Sequence, residues 1–440
     1  MKRSVLEFLL VAFPKALSGF GTVAINLLLL RFLGTEQYGI LGICLATILL
    51  IDSIVGSAVD MGVLKLAPAH RASNPAAGEA VQRAGFYWKA AAVFLFLLLS
   101  AVFARPLSEA FFHRPDLGHL LYLVCAASAG LLWLRSAQLQ WQIEGRFSLY
   151  GMADLLHSGL RFGGIALLMA THSVQPESVL AWHVIAPAAI LAGWAFTASR
   201  GVFSSLAVGR EPMRELGSCV PWYVLTFGLG ALLSRMDLFL LARWSNLGEV
   251  GIYAAALTIA MIVQMVGVYL SVVTSPKVVP MIQEGRFCRF FRTFQTGLLA
   301  VCLAGYLLFR VVWAAGASRL LPGEYARSGE LIHILIAGAF AGLATFPVTM
   351  TFVMFVRPRF LLAMDCVYLP VLLLLYAWLI PLHGAVGAAW VTAGANISRA
   401  LIAQAFAWKW ASEAAVGASG ELLLKPDWGE LKRSECERLW

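Results

Sequence analysis

Long apolar runs punctuate the whole 440-residue chain. They lie at about 8–30, 38–60, 84–104, 118–141, 149–170, 179–199, 219–242, 250–273, 291–312, 329–355, 361–380 and 385–408. A bilayer core about 30 Å thick takes about 20 helical residues to cross, so each run predicts one transmembrane helix. The reading is an all-α membrane protein with twelve transmembrane helices. Composition agrees: 60% of residues are apolar and only 13% charged, and the mean hydropathy is +0.79. A soluble protein carries about a quarter charged residues. The first run is interrupted by Glu7, Pro14 and Lys15 and lacks a small-residue cleavage site before Thr22, so it reads as a retained helix and not as a signal peptide.

The chain also repeats itself. RFLGTEQYGILGICLAT at 31–47 aligns without a gap with RWSNLGEVGIYAAALTI at 243–259, pairing Arg31 with Arg243, Gly39 with Gly251, Ile40 with Ile252 and Leu45 with Leu257. At the same offset Lys65 meets Lys277 and Pro68 meets Pro280, and one residue later in phase Arg146-Phe147 meets Arg359-Phe360. This pattern implies a duplication. Each half holds six apolar runs, and because six is even both halves enter the membrane from the same side. The expectation is two six-helix bundles related by a parallel pseudo-twofold repeat, with its axis along the membrane normal. The lobes are expected at 1–217 and 218–409, followed by a polar cytoplasmic tail at 410–440.

With both termini inside, 20 of the 33 Lys and Arg residues fall on inner loops, tails and their flanks, and 7 on outer loops. That bias supports cytoplasmic termini. Topology and lipid contact explain the net charge of +9, and no nucleic-acid partner is needed. The seven cysteines are dispersed without a CxxC, which indicates neither disulfides nor a metal cage, and no cofactor is called for. The longest inner connection, 61–83, is a polar segment with HRASNPAAGEA at its middle, so no soluble catalytic domain fits between the helices. The dipeptide GK is absent, which excludes a Walker A loop, and so is HExxH.

Six cations remain inside helices: Lys15, Lys89, Arg135, Arg161, Arg235 and Arg399. Lys89, near a helix start, is expected to snorkel to the inner headgroups. Each of the other five would cost about 2.5 to 3.5 kcal/mol facing lipid, so they must face protein or water. Of the intramembrane acids, Glu7, Asp60 and Asp365 fall near helix ends, which leaves Asp52, Asp154 and Asp237 for five bases. Arg235 and Asp237 are two apart and point to different faces; Asp154 and Arg161, seven apart, share a face but stand about 10.5 Å apart along the axis. One reading ties each base to a carboxylate or carbonyl of a neighbouring helix. The other gathers Lys15, Arg135, Arg161, Arg235 and Arg399 around one cavity, where unpaired positive charge calls for an anion such as a diphosphate headgroup.

Other features carry structural readings. Trp88, Trp133, Trp194, Trp222, Trp244, Trp313 and Trp390 suit interfacial belts. GAVGAAWVTAGA at 384–395 suits close packing through small residues. Pro14, Pro187, Pro347 and Pro370 suit kinks.

Four stretches carry a family look: LGTEQYGILGICLAT, DLFLLARWSNLGEVGIYAAALTI, the outer-loop LPGEYARSGELIHILIAG at 321–338, and HGAVGAAWVTAGA at 383–395. Over residues 1 to about 409 the chain resembles the polysaccharide biosynthesis or O-antigen (Wzx-type) flippases. Their superfamily also holds MATE drug antiporters and lipid II flippases. The resemblance implies a MATE-like bundle of six plus six helices around a cavity that opens alternately to each side. It implies an undecaprenyl diphosphate-linked oligosaccharide as cargo, the bacterial inner membrane as location, and membrane lipids and polysaccharide polymerase machinery as partners. It also implies a cationic cavity, which Arg161, Arg235 and Arg399 would suit. Lipid II flippases carry two further helices after the twelfth, which this chain lacks.

Two other functions compete with this one. A MATE-like cation-coupled exporter would present acids to a cationic cargo, whereas this chain holds more bases than acids. A membrane-embedded transferase or polymerase would need a long outer loop or a clustered acid and histidine site, and His157, His183 and His383 stand apart in sequence. If an ion drives transport, Asp52, Asp154 and Asp237 are the candidate coupling acids.

Overall fold

A computed structural model describes residues 2–112, 114–197, 209–283, 287–316, 321–348 and 358–416. All twelve apolar runs are helical wherever they are described, and no strand occurs among the described residues. The tail expected at 410–440 is described only to residue 416, as the end of the last helix; its remainder lies outside the described residues.

After α1 (Lys2–Leu29), α2 (Thr35–Ile51) passes through a π-helical turn, Asp52–Ser57, into α3 (Ala58–Ser73). These three form one apolar stretch from Thr35 to Arg71. The polar connection expected at 61–83 is helical instead. α3 runs to Ser73, α4 (Pro75–Phe112) begins at once, and only Asn74 between them is extended, at φ −152° and ψ 115°. Asn74 Oδ1 accepts the Ala76 N–H at 3.0 Å, and Pro75 has no N–H to satisfy, so Asn-Pro makes a corner between two helices.

A 3₁₀ turn (Pro115–Gly118) leads to α5 (His119–Ile143), α6 (Phe147–Ala170), α7 (Pro176–Thr197), α8 (Arg210–Trp244), α9 (Leu247–Gln283) and α10 (Phe287–Ala314). A second 3₁₀ turn (Gly323–Tyr325) precedes α11 (Ser328–Val348) and α12 (Pro358–Val416). At 59 residues α12 is too long for one crossing, and Gly384 breaks it with φ 57° and ψ −132°. A Cβ placed on Gly387 would sit 2.3 Å from the carbonyl oxygen of Leu379. Eight residues of straight helix span about 12 Å, so the chain reverses at Gly384 and α12 is two limbs, 358–383 and 385–416. Nine helical stretches among the described residues are long and apolar enough to cross a membrane, the two limbs of α12 counting as one. α1 adds the shorter Phe13–Leu29, and α6 falls short because Asp154, His157 and Arg161 interrupt it.

By internal packing the chain divides into two units. The first comprises Met1–Ile259, Ser318–Ile332 and Tyr368–Val391; the second is formed by the described parts of 260–317, 333–367 and 392–440. Inside the first, α2 and α9 cross at Gly39 and Gly251. A Cβ on Gly39 would lie 2.2 Å from the Leu247 carbonyl oxygen, and a Cβ on Gly251 would lie 1.8 Å from that of Thr35. The contact is reciprocal, because Thr35 and Gly39 match Leu247 and Gly251 at the offset of 212 read from the sequence. Two ion pairs flank the crossing, Arg114–Glu36 at 3.5 Å and Arg327–Glu249 at 2.5 Å, each joining residues 78 positions apart. Tyr325, fully buried, donates to the Leu33 carbonyl at 2.8 Å and meets Tyr38 edge to face, and the Tyr38 hydroxyl pairs with Thr258 at 3.1 Å.

In the second unit α10 packs on α11 through Leu298, Cys302, Leu343 and Ala344. Gln295 and Gln404 both donate to the Ala344 carbonyl, at 2.6 and 3.2 Å. The opposite side of α10 exposes Val301, Leu303, Leu308 and Val311, an apolar face suited to lipid.

Gly39→Ala and Gly251→Ala should each lower the stability of the purified protein by about 1–3 kcal/mol, because a methyl group overlaps backbone that cannot yield. Gly163→Ala, which meets nothing within 4 Å, should leave thermal unfolding in detergent unchanged. Gly384→Ala should destabilise by about 1–3 kcal/mol in the same measurement, since its backbone angles suit glycine alone.

Candidate functional site

The five candidate cations occupy three kinds of environment. The polar side chains of α6 set the first. Asp154, His157 and Arg161 recur at helical spacing along one face, and α1 packs beside them. Lys15 Nζ lies 4.8 Å over the Tyr150 ring, a cation–π contact, and the Ser18 and Ser158 hydroxyls are hydrogen bonded. Arg161 forms no ion pair within 4 Å among the described residues, and its buried Nε has no hydrogen-bond partner. His157, one turn earlier, and His183 on α7 lie within its electrostatic reach. The sequence sets these histidines far apart, and the packing of α6 on α7 brings them together. Asp154 does not pair with Arg161; it accepts from Gln138 Nε2 on α5 at 2.7 Å.

The second environment is a buried ion pair. Arg135 Nη2 on α5 meets Asp52 Oδ2, on the π turn, at 2.7 Å; the acid side chain is 3% exposed and the arginine 39%. In the second unit Arg399 pairs likewise with Asp365, Nη2 to Oδ1 at 2.5 Å. Asp365 thus acts as a partner, although its place near a helix end suggested otherwise: the first limb of α12 carries it beside Arg399 of the second. Lys89 corrects another expectation. It does not snorkel but is 1% exposed, and its ammonium donates to Asp60 Oδ1 at 2.6 Å, Ser136 Oγ at 3.0 Å and the Leu132 carbonyl at 3.3 Å. All three of its protons are used, beside a cavity of about 20 Å³ lined by Gln82, Gln140 and Trp194 among others.

Arg235 on α8 represents the third. It is half-buried and forms no ion pair within 4 Å among the described residues, while Asp237 and Tyr253 act on it electrostatically. Asp237 faces away from it, as a spacing of two dictates, and accepts the Tyr253 hydroxyl at 2.6 Å and the Leu238 N–H at 2.8 Å. Among the described residues no group of three or more His, Cys, Asp and Glu side chains is placed to hold a metal.

Comparison with solved structures places this architecture. Lipid II flippase MurJ in an inward closed conformation superposes with a TM-score of 0.65 at 10% identity, covering 92% of this chain and 90% of that one. An inward-facing multidrug resistance MATE family transporter of the MOP superfamily gives 0.61 at 12% identity, covering 91% and 96%. The Vibrio cholerae MATE transporter VcmN gives 0.57 at 16% identity, covering 93% and 97%. At such identities the likeness establishes a shared fold. No curated protein matches the sequence. The profile of the polysaccharide biosynthesis proteins does match, over residues 8–285, which is more than half the chain, and the protein is a multi-pass membrane member of that family.

Proposed function

We propose that the protein is a flippase that carries an undecaprenyl diphosphate-linked oligosaccharide from the inner to the outer leaflet of the bacterial cytoplasmic membrane, for surface polysaccharide synthesis. The observation that carries this reading is Arg161, a half-buried arginine on α6 whose Nε is buried without a hydrogen-bond partner and which forms no ion pair within 4 Å among the described residues. A charge so placed calls for an anion, and a diphosphate matches the planar donor fork of arginine. Lys15 and Arg135 stand on the neighbouring helices α1 and α5; Arg235 and Arg399 lie in the later half of the chain. A cationic exporter site would instead need uncommitted acids, and Asp52 and Asp365 are held by arginines.

The physical task is to move a charged, sugar-bearing head through hydrocarbon while the prenyl chain stays in lipid. Cations in a wet cavity replace the hydration that the diphosphate loses. Rocking of lobes 1–217 and 218–409 would change the side to which the cavity opens. Both termini lie in the cytoplasm in this reading, where the tail at 410–440 is available to polymerase machinery. Asp52, Asp154 and Asp237 are the acids proposed for ion coupling.

Arg161→Gln should slow transfer of a labelled diphosphate-linked oligosaccharide in proteoliposomes by about tenfold or more without preventing membrane insertion, and Arg161→Lys should recover part of the rate, since lysine keeps the charge but not the fork. Arg235→Gln should slow it as well. Unchanged transfer in both glutamine variants would falsify the cavity role of these residues.

A further inference from the structure

We infer that Asp52 and the diphosphate compete for the guanidinium of Arg135, so that a proton on Asp52 hands Arg135 over to the substrate. This rests on the flippase reading above and says how Asp52, one of its proposed coupling acids, would act.

Asp52 opens the π turn and is 2% exposed. One carboxylate oxygen, Oδ2, takes Arg135; the other, Oδ1, is buried with no hydrogen-bond partner. Gly56 makes room for that oxygen, because a Cβ there would come within 2.7 Å of it. Among the described residues the ionised acid is therefore held by Arg135 and by no second donor. The other charges that reach it are Asp60 from α3 and Lys89 from α4, and these two already bind each other at 2.6 Å. α8 packs on the same turn, where a Cβ on Gly228 would lie 3.5 Å from Ile54. Two acids and two bases leave the group neutral. Withdrawing Arg135 strands a buried carboxylate with its countercharge gone, and the way to relieve this is to take up a proton.

Arg135 is suited to change partners. Its side chain is 39% exposed, and a guanidinium at this depth does not face hydrocarbon, so the exposed part faces water. It acts electrostatically on His157, as does Arg161. The same guanidinium can bind an acid on one side or a phosphate on the other. Linkage then makes the effect mutual: anion binding favours proton uptake at Asp52, and protonation favours anion binding.

The test measures binding of a short-chain prenyl diphosphate glucose to the full-length protein in detergent. The probe is a diester whose phosphates stay ionised between about pH 5.5 and 8.5. Wild-type affinity should fall about tenfold or more as pH rises. Asp52→Asn, which imitates the protonated acid, should bind with one affinity across the range, equal to the wild type at its lowest pH. His157 also lies within electrostatic reach of Arg135, so His157→Gln should keep the wild-type slope. Binding to the wild type should also take up protons from two buffers of different ionisation enthalpy, a readout that needs no variant to fold. An equal slope in wild type and Asp52→Asn, a slope lost only in His157→Gln, or absence of proton uptake would each overturn the inference and leave the flippase reading intact. No binding of the probe at any pH would overturn both.

Discussion

Hydrocarbon does not solvate charge, and this chain places charged side chains along at least six helices where hydrocarbon lies outside. Three ways of meeting that constraint are visible. Lys89 is walled in and gives each of its protons to an acceptor. Arg135 and Arg399 each lean on one aspartate while part of the side chain stays open. Among the described residues Arg161 and Arg235 form no ion pair within 4 Å, although Asp237 reaches Arg235 electrostatically. The order runs from a fixed structural charge to one without an ion pair among the described residues.

Much of the architecture was legible because a bilayer imposes a length and a composition on whatever crosses it. The apolar runs announced their helices, and the soft glycine pattern pointed to the family. The charge partners were another matter. Asp60 and Lys89 stand 29 positions apart, and Asp365 and Arg399 stand 34 apart; neither pairing follows from local spacing, because it depends on which helices the packing sets side by side. Counting acids by distance from a helix end missed two real partners for this reason. The polar run around Asn74 misled differently. Its composition is that of a loop, yet alanines and a well-placed Asn-Pro let the helices reach almost to each other.

Some sequence signals gained meaning only in three dimensions. Gly39 and Gly251 stood out as matched residues of a weak internal similarity, and the structure puts them against each other's helices. The π turn at Asp52 left no mark in the composition of its segment, since DSIVGS reads as ordinary helix; its role emerges from the buried carboxylate it presents.

The exposure of α10 has an evolutionary consequence. In its apolar stretch, Thr293–Ala314, only 6% of the most hydrophobic window is buried in protein, and its 22 residues span about 33 Å, close to the thickness of an acyl layer. Most positions there answer to oiliness and not to shape, so homologous chains are free to drift among Leu, Val, Ile and Phe along that side. Drift should stop abruptly at Gln295 and at Gly305, where a carbonyl and the Phe340 ring leave little choice.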